Sequence, residues 1–91
     1  MRTFEELWEA CESHHKDDSP NEQVSVLLEK LELKLALYKA IEMHSSVLGD
    51  EKQKAKTRLL GEVLFSLSQL SLIDDINVFE ALQIALVDKK N

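Results

Sequence analysis

Cysteine, proline and glycine are nearly missing from this chain. Cys11 is the single cysteine among 91 residues, so no internal disulfide can form, and a reducing, cytoplasmic setting is expected. One proline and two glycines leave too few turn-formers for a many-stranded β fold. No stretch reaches the roughly 18–20 apolar residues of a transmembrane helix. Met1 to Trp8 carries acids where a signal peptide would carry its apolar run. Positive charge is also short: 11 basic residues stand against 17 acidic ones, for a net charge of −6 and a pI of about 5.0. Such a surface repels polyanions, so neither nucleic acid nor an anionic membrane is expected as a partner.

What is present is the composition of a folded domain, 44% hydrophobic and 31% charged. The length allows one domain, residues 1–91, and the scarcity of turn-formers makes it all-α. A chain this short buries only roughly 60% of its unfolded surface, so a second copy would supply what a small core lacks.

Helix signals recur along the chain. Thr3 and Glu6 have capping-box spacing, and Phe4, Leu7, Trp8 and Cys11 follow as one apolar stripe. The polar run His14–Asp18 breaks that stripe and reads as a loop. Ser19, Pro20 and Glu22 supply a cap, a first-turn proline and a box acid, which predicts a second helix running to about Ser46. Val24, Leu27, Leu28, Leu31, Leu35 and Tyr38 form its stripe, widened by Leu33, Leu37, Ala40 and Ile41. The alternation from Leu31 to Leu37 also fits a strand, but Leu, Glu, Lys and Ala all favour helix. Apolar over much of its circumference, this helix is either central or pressed against a partner. Gly49 is expected to end it in a left-handed cap, with Asp50 starting the third helix. Leu59, Leu60, Val63, Leu64, Leu67 and Leu70 then line the third helix, and Asp74-Asp75 closes it. Asn77 and Glu80 repeat the box spacing ahead of a short last helix with Lys89 and Lys90 at its end, where the helix dipole favours cations. The predicted order is short, long, long, short.

Leu60-Gly61-Glu62-Val63-Leu64-Phe65 resembles the second metal-binding helix of the MazG-like nucleotide pyrophosphohydrolases, which typically reads Glu-Glu-Leu-Gly-Asp-hydrophobic-Leu-Phe. Ile76 to Leu82 is similar to that family's capped final helix. Phe4 to Leu7 and the stretch from Leu31-Glu32 to Ala40-Ile41 fall where the family has its first helix and its first metal-binding helix. The resemblance implies a four-helix MazG-like bundle completed by oligomerisation, as a dimer or tetramer. It also implies Mg²⁺-dependent cleavage between the α and β phosphates of nucleoside triphosphates. Mg²⁺ takes oxygen ligands and bridges carboxylates to phosphates, so this chemistry needs acids.

The acids are largely missing from the positions where the resemblance places them. The family's Glu-x-x-Glu pair falls on Leu33 and Ala36, and its Glu-x-x-Asp pair on Leu59 and Glu62. Leu86 and Asp88 stand where the last helix usually carries Asn and Lys. The aliphatic set is expected to turn a charged pocket into dry packing around Glu62, an exchange that can match the stability of a buried ionic cluster. A shifted register recovers Glu29 and Glu32 as the pair, so Glu29, Glu32 and Glu62 are the candidate metal ligands of an active enzyme.

Other candidate chemistry is thinner. Cys11, His14 and His15 could bind metal, yet a structural zinc site wants four ligands and only the distant His44 could add one. Cys11 has no partner pattern for nucleophilic catalysis. Asp17-Asp18 and Asp74-Asp75 read as solvated loop acids. Lys52, Lys54, Lys56 and Arg58 make the one basic cluster, read as a solvated face or, in the functional alternative, as a phosphate contact. Trp8 and Tyr38 read as core. Three functions follow: a degenerate MazG-like oligomer that binds a nucleotide or a protein partner and needs no cofactor; an active Mg²⁺-dependent pyrophosphohydrolase; or a plain helix-bundle interaction module.

Overall fold

Thr3 sits at the start of a helix, as its spacing to Glu6 predicts. Its Oγ1 accepts the Glu6 N–H at 3.1 Å, and the Glu6 carboxylate accepts the Thr3 N–H at 3.4 Å. This capping box opens α1 (Phe4–Asp18). The computed structural model describes residues 2–18, 21–44 and 49–90, and adds α2 (Val24–Met43), α3 (Gly49–Ile73) and α4 (Val78–Lys90). Among the described residues there is no strand.

Four boundaries or turns differ from the sequence expectation. His14–Asp18 is not a loop: α1 continues through it, because His15 extends the line of Trp8 and Cys11 and is only 2% exposed. A polar residue thus occupies a core position, which a hydrophobicity pattern reads as a break. α2 begins at Val24, behind an extended Gln23 that makes no side-chain cap bond. Glu22 lies before the helix and pairs with Lys30 instead of closing a box; Ser19 and Pro20 lie outside the described residues. α2 ends at Met43, where His44 turns extended and its N–H bonds the Ile41 carbonyl; Ser45 and Ser46 are not among the described residues. Gly49 is the first residue of α3 and not a left-handed stop, since neither glycine has positive φ.

The left-handed residue is at the other end of α3. Asp75 has φ 53°, its N–H bonds Leu72 O at 3.3 Å, and the Ile76 N–H reaches back to Ser71 O at 2.9 Å. These two bonds make a Schellman motif, with Asp in the place usually taken by Gly. Aspartate tolerates this conformation because its short polar side chain bonds locally. Asn77 then caps α4, its Oδ1 accepting the Phe79 and Glu80 N–H groups at 3.0 and 3.1 Å.

α2 and α3 form an antiparallel hairpin. Glu42, near the end of α2, meets Lys52 and Lys56 near the start of α3, while Lys34 meets Ser66 further along. Leu27 and Leu31 of α2 and Leu59 and Val63 of α3 form the buried apolar seam. α1 lies against the C-terminal half of α3 and buries Trp8 there. α4 buries none of its residues; Phe79 meets Phe4 of α1 edge-on at 6.1 Å. No described helix is long and apolar enough to cross a membrane.

Candidate functional site

The hairpin carries the residues that the resemblance singles out for Mg²⁺ chemistry, so its register decides what they can do. The contact line of α2 runs through Val24, Leu27, Leu31, Lys34, Tyr38 and Ile41, which are its buried or half-buried positions. That of α3 runs through Lys56, Leu59, Val63, Ser66 and Leu70. Each residue step turns a helix by about 100°. Leu33 lies one step before Lys34, and Ala36 two steps beyond it, so both leave the contact line and both are exposed.

The expected aliphatic closure around Glu62 therefore does not form within the protomer. Leu59 is buried, but Leu33 is 62% exposed, and Glu62 is itself exposed. The sequence pattern could not separate these cases, because α2 is apolar on several sides and any of its leucines could have faced α3. Glu29 and Glu32 are exposed on α2 as well. Among the described residues, no three His, Cys, Asp or Glu side chains stand together so as to hold a metal ion. The residues present do not fit the Mg²⁺ site that the resemblance implies: three positions are aliphatic, and the remaining acid, Glu62, faces solvent.

The seam between α2 and α3 holds a feature that sequence reading missed. Lys34 Nζ donates to Ser66 Oγ at 2.8 Å, and Ser66 is buried. Ser68 and Ser71 are buried too, each bonding a carbonyl one turn back, Phe65 O at 2.6 Å and Ser68 O at 2.9 Å. Ser66 stands three residues after Val63 and four before Leu70, at helical spacing on the contact line.

The basic cluster is divided between two environments. Lys52 bonds the Glu42 carbonyl and Lys56 pairs with the Glu42 carboxylate, with the Lys56 ammonium 5.4 Å from the centre of the Tyr38 ring. Lys56 hydrogen-bonds Glu42 and, with Lys52, supplies positive charge, so the Glu42 carboxyl titrates below its ordinary value. The same bond holds the Lys56 ammonium above its own. Lys54 and Arg58 line a shallow hollow together with Asp50. Cys11 is a half-buried free thiol. The His14 ring lies tilted against that of Phe65, their centres 5.5 Å apart, and the buried Nδ1 of His15 has no hydrogen-bond partner.

A hollow of about 340 Å³ lies between α1 and the α3–α4 turn, with Trp8 and Phe79 beside Glu5, Glu9, Glu12 and Asp75. Four carboxylates around one hollow oppose phosphate binding there. The chain matches no family model, no curated protein and no solved structure.

Proposed function

We propose that this chain is a catalytically degenerate MazG-like protein, a self-associating helical module that takes a nucleotide or protein partner without hydrolysing it. The supporting observation is the uncovered apolar side of the hairpin. Leu28 and Leu35 each lie one step past a contact residue of α2, and Leu60, Leu64 and Leu67 one step past contact residues of α3. In two antiparallel helices, one step past the contact line reaches the same side of both. The five leucines therefore share one side, and they are 37–55% exposed. Contiguous apolar surface of this kind marks an association site.

The lack of hydrolysis rests on the residues at the metal positions. Leu33, Ala36 and Leu59 offer no oxygen, and Glu29, Glu32 and Glu62 do not form a three-acid cluster. The deciding experiment titrates Mg²⁺ or Mn²⁺ against a panel of nucleoside triphosphates, reading heat of binding and pyrophosphate release. Release should not exceed the metal-free control. Metal-dependent turnover abolished by Glu29→Gln or Glu32→Gln would replace this reading with the active enzyme.

A further inference from the structure

Among the described residues, two of the exposed apolar surfaces stand apart in extent. One is the leucine side of the α2–α3 hairpin. The other is α4, where Leu82, Ile84, Leu86 and Val87 are all more than half exposed. Resting on the self-association proposed above, we infer that the two surfaces cover each other between copies. The α4 of one chain seats on Leu28, Leu35, Leu60, Leu64 and Leu67 of a second copy, and the second copy's α4 returns the contact.

The area argues for a second copy as the occupant. A 10.4 kDa chain folded as a free monomer exposes about 5,400 Å², whereas this protomer exposes 7166 Å². Its radius of gyration, 15.2 Å, likewise exceeds the roughly 12 Å of a self-sufficient chain of this length. Covering the excess of about 1,800 Å² on each of two chains buries about 3,600 Å² in total, within the range of obligate homodimers. The dimensions agree as well. Leu60 to Leu67 spans about 10 Å along α3, and Val78, Leu82 and Leu86 present one ridge of about 12 Å on α4. Packing hairpin on hairpin would leave α4 bare, whereas reciprocal exchange covers both surfaces with one two-fold operation.

Disulfide trapping between single-cysteine chains tests this. Cys11→Ser is made throughout; Leu64→Cys is placed in one tagged chain and Leu82→Cys in another, and the two are mixed and oxidised beside a sedimentation run of the parent. A Leu64→Cys chain joined to a Leu82→Cys chain is expected, with a dimeric parent. A dimeric parent whose Leu64→Cys chains join one another, or join nothing, overturns the exchange and leaves self-association standing. A monomeric parent overturns both.

Discussion

Lys34 and Ser66 meet across the hairpin, the ammonium donating at 2.8 Å to a hydroxyl buried between α2 and α3. A lysine therefore stands on the contact line of a helix whose neighbouring leucines, Leu33 and Leu35, face outward. Hydrogen bonds to charged groups contribute more than neutral ones, and removing one partner leaves the other desolvated and unpaired. Ser66→Ala should cost about 1–2 kcal/mol in urea unfolding. Lys34→Met keeps the aliphatic stem but leaves the buried Ser66 hydroxyl without its donor, and should cost a similar amount. A neutral Ser66→Ala would show that water serves the ammonium equally well.

His15 makes the opposite case. Its ring is buried and Nδ1 lacks a partner, so that nitrogen carries a desolvation cost with no bond to offset it. His15→Leu should raise stability by about 1 kcal/mol, read as a higher urea midpoint at unchanged slope. A fall in the midpoint would mean that the imidazole bonds a group the leucine cannot serve.

Glu42 and Lys56 tie α2 to α3 at the connected end of the hairpin. The Glu42 carboxyl is held below its ordinary value of 4.5 by Lys56 and Lys52, so its contribution is present above that value and is lost as pH falls through the folded one. The Lys56 ammonium is held above its ordinary value of 10.5; its contribution is present below that value and is lost as pH rises through the folded one. The tie should be constant between these limits. An NMR titration of the Glu42 carboxyl should give a midpoint below 4.5 that moves up in Lys56→Met. A midpoint unmoved by that change would dissolve the tie.

Glu62 is exposed on α3, so Glu62→Gln relieves no burial cost and should alter stability by less than about 0.5 kcal/mol. Thermal melts with and without Mg²⁺ should coincide for parent and variant. A Mg²⁺-dependent rise in Tm of the parent, lost in Glu62→Gln, would show that this carboxylate binds metal.

Local chemistry made the helices legible in the sequence. The Thr3–Glu6 box and the Asn77 cap satisfy backbone groups with nearby side chains, the break at Asp74-Asp75 satisfies them with backbone bonds, and each stands where the sequence predicts. Facing was not legible. A helix with leucines at positions 31, 33, 35 and 37 has no single apolar side, so hydrophobicity alone does not choose among them. Lys34 and Ser66 meet on the contact line, and a hydrophobicity pattern gives no weight to such polar residues. His15 concealed the continuation of α1 for the same reason. For the site, the Leu-Gly-Glu motif drew attention to α3, but the exposure of Leu33 and Glu62 depends on the rotation of each helix, which spacing does not encode.

The self-association of the parent chain tests the account most directly. Sedimentation equilibrium should give a dimer or larger at micromolar concentration, and Leu64→Asp, on the leucine side of the hairpin, should give a monomer with its helical circular dichroism retained. A parent that sediments as a monomer across that range would contradict the account.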